Sequence, residues 1–390
     1  MTKKSFLFFF LCCLFALAWN STHAQDSSRI RISLLTCTPG EELYSTFGHS
    51  ALRVTDSNSV TDHVYNYGTF NFDEPGFYLK FIRGKLRYYV SVENFEDFKS
   101  DYIMQNRGMT EQVLNFSETE KINIRHALIE NIKEENKYYF YDFFLDNCTT
   151  RLRDIIVKYH DPHPELPPVM PVRYTFRNAI HQYLDSNRQY WSKLGIDLLL
   201  GVPTDGVMTT AQQQFLPDNL MLALDATKNT SIVSAKQDLY LTALQQKETV
   251  FFTPFVCFVS IFLLFLLLSL IRNPTITRIL HGLDAFLFFA IGALGIVMVL
   301  MWVATDHSMT KNNYNLLWAW PTHLIYAIFI NRDSKRVRLY SLFHTIFLVL
   351  LLCVWFFLDQ QMNNALLPLL LLMIWRGGSK FINRKQVDSC

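Results

Sequence analysis

Asp146-Asn147-Cys148-Thr149-Thr150-Arg151-Leu152-Arg153-Asp154 joins an aromatic, strand-like stretch (residues 137–144) to a segment (151–159) in which Leu152, Ile155 and Ile156 recur at helical spacing. The change of period puts Cys148 at or just inside a helix start, directly after a strand. A helix N-terminus presents unpaired N–H groups and partial positive charge, which stabilise a thiolate and a developing oxyanion. A cysteine nucleophile also needs an imidazole to hold or take its proton. The candidates are His49, His63, His126, His160, His163 and His181. His126 falls on a capped helix, and His160 and His163 lie in a Pro-rich loop. His49 is different, because Phe47-Gly48-His49-Ser50 opens a strand beside a glycine that admits another backbone or a ligand. His49 on a strand and Cys148 on a helix tip form a chemically sensible pair. The competing expectation is a Cys37–Cys148 disulfide in an oxidising compartment.

Upstream the chain reads as strands at Ile30–Cys37, 48–55, 63–72 and 86–92, with Pro39-Gly40 as a turn. Residues 48–55 and 63–72 flank the turn-rich Asp56-Ser57-Asn58-Ser59 and are expected to pair antiparallel. Ser117-Glu118-Thr119-Glu120 is a capping box that opens a helix running to about Glu134. The class expected is α+β. No CxxC pair marks a zinc site, and neither metal nor cofactor is expected.

The two ends place this domain. Lys3 and Lys4, the apolar run 6–19 and Thr22-His23-Ala24 have the order of a secretory signal, with cleavage expected after Ala24; the other reading is an uncleaved anchor. Either way the domain at 25–249 is exported. From residue 250 the chain is a membrane part, with apolar runs at 251–271, 283–304, 316–330 and 341–358. A fifth run, 365–375, is short enough either to cross or to lie in the interface. With all five crossing, the inner loops and tail carry ten basic residues and the outer loops only Lys311, as the positive-inside rule requires. Asp306, His307, Asn312, Asn313 and Asn315 crowd one outer loop and His323 follows Trp320-Pro321, a functional cluster or a solvated hairpin. No acid–base relay through the apolar runs suggests a transporter. The exported part has net charge −6 against +6 for the membrane part, which argues against a nucleic acid partner.

Several stretches, in order, carry a family resemblance. Leu34-Leu35-Thr36-Cys37-Thr38-Pro39-Gly40-Glu41-Glu42-Leu43-Tyr44, Phe47-Gly48-His49-Ser50-Ala51-Leu52-Arg53, Val64-Tyr65-Asn66-Tyr67-Gly68-Thr69-Phe70 and the Cys148 segment resemble the N-terminal periplasmic domain of the Lnb-type lipoprotein N-acyltransferases. Leu194-Gly195-Ile196-Asp197-Leu198-Leu199-Leu200-Gly201 and the region around His307 and 315–321 fit as well. The resemblance implies a circularly permuted papain-like (NlpC/P60-type) domain, in which the histidine strand precedes the cysteine helix, followed by an α-helical transmembrane bundle. It implies a third polar residue on the neighbouring strand; hairpin counting selects Asn66, with Asp62 second. The implied reaction moves an acyl chain from a membrane phospholipid, through a thioester on Cys148, to the α-amino group of a diacylglyceryl-cysteine lipoprotein. Arg53, Tyr67 and Arg151 are the expected substrate contacts, and Arg83, Lys85 and Arg153 further candidates for lipid phosphates. The implied location is the bacterial inner membrane, with the catalytic domain in the periplasm. Two rival readings stand beside it: a periplasmic cysteine peptidase or amidase, and a membrane scaffold without catalysis.

Overall fold

The computed structural model describes residues 29–242 and 250–382; the expected signal segment and Cys390 lie outside them. Seven strands form one antiparallel sheet in the order β6-β4-β3-β2-β1-β5-β7. They are β1 (Ile30–Cys37), β2 (His49–Asp56), β3 (Thr61–Thr69), β4 (Arg87–Asn94), β5 (Met109–Leu114), β6 (Tyr138–Phe140) and β7 (Val233–Tyr240). Between β3 and β4 lies α1 (Phe77–Ile82), and between β4 and β5 lies α2 (Phe95–Met104). After β5 come α3 (Glu118–Asn131), α4 (Cys148–Tyr159), α5 (Phe176–Ser186), α6 (Tyr190–Leu199), α7 (Thr210–Gln213) and α8 (Pro217–Asp225).

Side chains alternate across the strands, so the central strands feed two cores. Ile30, Ile32, Leu34, Leu52, Val54, Tyr65 and Tyr67 pack against Leu128 of α3, Leu152 and Ile156 of α4 and Leu220 of α8. Leu35, Cys37, Ala51 and Val64 meet Phe95, Phe98 and Tyr102 of α2. The expected hairpin forms as β2–β3, with register Leu52↔Tyr65 to Asp56↔Thr61. That ladder stops at Leu52↔Tyr65, so the strands are no longer paired with each other at His49 and Gly68.

The C-terminal part contains α9 (Pro254–Leu270), α10 (Pro274–Val303), α11 (His323–Phe329), α12 (Lys335–Val354) and α13 (Leu367–Ile382). Among the described residues, two helical stretches are long and apolar enough to cross a membrane by themselves, Pro274–Val303 and Lys335–Phe357. The run at 316–330 is no continuous helix: a 3-10 turn at Tyr314–Leu317 and Pro321 break it before α11. The chain from Thr310 to Asn331 nevertheless follows α10 from Met301 to His281. The Thr310 hydroxyl donates to the Met301 carbonyl, and Asn331 donates to that of His281; the α10 residues between these carbonyls rise about 30 Å. The short fifth run is also longer than its apolar core, because α13 continues past Arg376. Arg376 and Lys380 both reach Asp284 of α10, a carboxylate with no exposed surface, at 2.6 and 3.1 Å. An ion pair that spares both charges an unpartnered place among apolar helices is what the sequence reading did not anticipate.

In the polar loop at 305–315, Asp306 and Asn312 are exposed. Asn313 and Asn315 are buried and donate to the carbonyls of Leu198 and Asp197 at 2.8 and 2.9 Å. The Gly201 N–H donates to the Met309 carbonyl. The loop therefore joins the bundle to the sheet-bearing part through the end of α6. His323 is fully buried in the bundle, with Nδ1 2.8 Å from the Tyr340 hydroxyl.

Candidate active site

Asn147 caps α4. Its side-chain oxygen accepts from the Thr150 N–H and its own N–H donates to the Thr150 hydroxyl, both at 2.8 Å. Its amide nitrogen donates to the carbonyls of Phe143 and Phe215. The cap thus fixes the helix tip to two flanking loops while leaving the Cys148 N–H without an intrahelical acceptor. Because all of the Asn147 amide is engaged, this side chain is not available as a second oxyanion donor.

Gly68 lets the tip reach the sheet, and Gly48 lets two strands approach closely. Gly68 has φ +92°, and a Cβ there would stand 3.3 Å from the Tyr141 ring and 3.7 Å from the Cys148 Cβ. Gly48 has φ +77°, and a Cβ there would come within 2.8 Å of the Cys37 carbonyl. The glycine beside His49 therefore admits the chain's own β1 and not a ligand.

His49 and Cys148 are neighbours whose charges act on each other, and both are largely buried. His49 Nε2 lies 2.7 Å from Asn66 Oδ1. The Asn66 amide is oriented by its other end, where Nδ2 donates to Glu93 Oε1 at 3.1 Å. A carboxylate only accepts, so the amide oxygen must face His49, Nε2 carries the proton, and Nδ1 is left for the sulfur. Glu93 had no signal in the sequence; the β3–β4 register, Val64↔Glu93 and Asn66↔Ser91, is what brings it diagonally opposite Asn66.

The electrostatics favour an ion pair. Burial raises the Cys148 thiol, but the His49 charge and hydrogen bond, with the Ser50 N–H and the Thr149 hydroxyl, bring it down to about 7. Burial opposes the charge on His49, yet the Cys148 thiolate and the Asn66 oxygen leave its pKa above the ordinary value. Cys37 is the contrast. It is a free thiol, as is Cys148, and burial pushes it up to about 12 against the pull of Arg107. The expected alternative of a Cys37–Cys148 disulfide is absent from this structure.

The other expected residues lie elsewhere. Asp62 takes a bidentate pair with Arg53 at 2.6 and 2.8 Å and does not reach His49. Arg53 also binds Glu111 and stacks on Phe95, 3.3 Å from the ring centre. Arg151 is clamped on Asp146 and stacked on Tyr139. Tyr67 is 2 % exposed, and its hydroxyl accepts from Asn131. These three side chains are engaged within the fold. Arg153 pairs with Asp154 and donates to the Ala211 carbonyl, while Arg83 and Lys85 are exposed. His181 binds Asp197, His160 bonds to the Pro162 carbonyl and His163 to the Val157 carbonyl of α4; among the described residues, His49 is the histidine whose charge acts on the thiol. Among the described residues no group of three or more His, Cys, Asp or Glu is placed to hold a metal ion.

Comparison with known families covers both halves. Residues 17–180 match the family model for the Lnb N-terminal periplasmic domain, and residues 245–387 match that for the Lnb transmembrane domain. No curated protein and no solved structure gives a match. With both domains present in order, the chain belongs to the Lnb family: a membrane protein with a periplasmic α/β domain ahead of a transmembrane helical one.

Proposed function

We propose that this protein is an enzyme of lipoprotein maturation, an N-acyltransferase that works through a thioester on Cys148. The observation that carries the reading is the Cys148–His49–Asn66 chain on an Lnb periplasmic domain attached to a membrane bundle. The Cys148 thiolate attacks the carbonyl carbon of a phospholipid ester. The S–C bond forms and the ester C–O bond breaks. His49 passes its proton to the departing alkoxide, which leaves as a lysophospholipid. The free α-amine of a diacylglyceryl-cysteine lipoprotein then attacks the thioester. His49 takes the amine proton, an amide forms and the Cys148 thiolate is restored. The Cys148 N–H at the helix tip is suited to bind the oxyanion of both tetrahedral states. Asn66 holds the imidazole with Nδ1 toward sulfur, and Glu93 holds Asn66.

Attachment to a bundle makes sense for this chemistry, since both substrates are anchored in one leaflet and confinement replaces a bimolecular search. In this reading residues 1–24 are a cleaved signal, 25–249 the periplasmic acyltransferase and 250–390 the membrane domain of the bacterial inner membrane. Its tail faces the cytoplasm. The order of histidine strand and cysteine helix, on an antiparallel sheet, supports a circularly permuted papain-like domain. Mass spectrometry of lipoprotein N-termini tests the reading. N-acylated termini are expected in cells carrying the protein, and free α-amines in cells lacking it or carrying Cys148→Ala. Cleaved cell-wall peptides with unaltered lipoproteins would establish the peptidase reading instead.

A further inference from the structure

The helix α1 is six residues long and mostly uncovered. Tyr78 is 75 % exposed, Leu79 62 %, and Phe81 and Ile82 about half. Such a cluster on a soluble surface would be unusual. Its position explains it. His307 Nε2 lies 3.1 Å from the carbonyls of both Phe81 and Ile82, and the Asp306 N–H donates to the Arg83 carbonyl. Asp306 and His307 follow directly on the end of α10 at Val303, which is itself exposed. Since α10 belongs to the transmembrane domain, these bonds fix α1 at the level where a membrane helix leaves the bilayer. Lys85 pairs with Asp306 at 3.8 Å, while the exposed Arg83 and Arg87 beside the helix complement lipid phosphates, the usual partition of apolar and basic side chains at such a surface.

A line of aromatic rings leads from α1 to the thiol. Phe77 of α1 lies 5.8 Å from Phe70, Phe70 lies 5.3 Å from Tyr88, and Tyr88 stacks on Tyr141 at 4.5 Å. Tyr141 and Cys148 then flank the same point beside Gly68. Phe70, Tyr88 and Tyr141 are each only partly buried, so the line offers an open apolar face and not a closed core. The outer loop also touches its far end, where the Ser308 hydroxyl donates to Asp142, the residue after Tyr141.

We infer that α1 dips into the outer leaflet of the membrane and that the Phe70–Tyr88–Tyr141 line is the path along which a lipid acyl chain reaches Cys148. This rests on the acyl-transfer reading of the site and adds how a chain leaves the bilayer for a thiol that is nearly buried. An extended hydrocarbon suits the line because flat, partly buried rings cover methylene groups without asking for a polar partner.

The test uses the full chain in phospholipid nanodiscs and reads acyl adducts on Cys148 by intact-protein mass spectrometry. Two donors are compared, the long-chain phospholipid of the disc and p-nitrophenyl acetate. Tyr88→Ala should lower the ratio of long-chain to acetyl adduct rates about tenfold, and Tyr88→Phe, which keeps the ring, should restore it. Separately, a nitroxide at position 79, in a variant whose other cysteines are serine, should show oxygen-rich, bilayer-type accessibility. The same label at Met104, an exposed residue of α2, should be aqueous. A wild-type protein that forms the long-chain adduct while Tyr88→Ala keeps the ratio overturns the path alone. An aqueous label at 79 overturns the membrane placement of α1. Acetyl adduct without any long-chain adduct in the wild type brings down the acyl-transfer reading itself, and the path with it.

Discussion

Cys148 and Cys37 show how position decides what a thiol can do. Both are buried, but one faces an imidazole at a helix tip and the other faces Tyr102 across a closed core. The alkylation rate of Cys148 by iodoacetamide should therefore rise with pH through about 7, as the thiol loses its proton. In His49→Ala the rise should move toward the ordinary thiol range, and turnover should fall on the order of 10²-fold or more. An unchanged profile would remove His49 from the site. Asn66 stabilises the protonated imidazole, which contributes to holding the His49 pKa above its usual value. Asn66→Ala should thus lower that pKa, so the alkaline limb of the pH–rate profile moves to lower pH. A limb that stays in place would show that Asn66 does not act through His49. The sequence showed the cysteine and the histidine because each sits at a recognisable element boundary. It showed Asn66 only by counting across a hairpin. Glu93 was invisible, since its part depends on the register between β3 and β4, which no local pattern records.

At the scale of elements, the cap and the glycines are the parts whose loss should be measurable. Gly68→Ala forces a side chain into left-handed backbone between Tyr141 and Cys148. A loss of about 1–2 kcal/mol in unfolding experiments is expected, with slower alkylation of Cys148 as the tip is displaced. Normal stability with normal alkylation would mean the close approach is unimportant. Capping boxes and turns were legible because they are local: α3 opens at Ser117 as expected, and α4 at Asn147. β5 and β7 were not legible. The β5 sequence Met-Thr-Glu-Gln-Val-Leu buries Glu111 and Gln112, which looks wrong for a strand until their partners are known. Arg31 and Arg53 neutralise Glu111, and Asp225 of α8 accepts from Gln112. β7 is polar because it is an edge strand, exposed along most of its length.

In the whole molecule, the sheet-bearing part and the bundle are joined by a buried charged cluster. Arg177 has no exposed surface and binds Asp197 and Asp205 at 2.7 and 2.9 Å, and Asp197 also accepts from Asn363 of the bundle at 2.8 Å. Asp197→Ala leaves a buried guanidinium short of a partner and should cost about 3–5 kcal/mol. Thermal unfolding in detergent would show it; a cost near that of a surface mutation would mean that water replaces the lost partner. The membrane half was legible where apolar runs are long. It was obscured at the third and fifth segments, where Pro321 breaks one helix and Asp284 lets another carry Arg376 and Lys380. The central claim is that this assembly transfers an acyl chain through Cys148, and single-turnover mass spectrometry on the protein in phospholipid nanodiscs tests it most directly. The account predicts a hydroxylamine-sensitive acyl adduct on Cys148. Adding a diacylglyceryl-cysteine peptide should discharge it, with the same acyl group appearing on the peptide α-amine. Failure to form the adduct, or its full appearance in Cys148→Ala, would contradict the account.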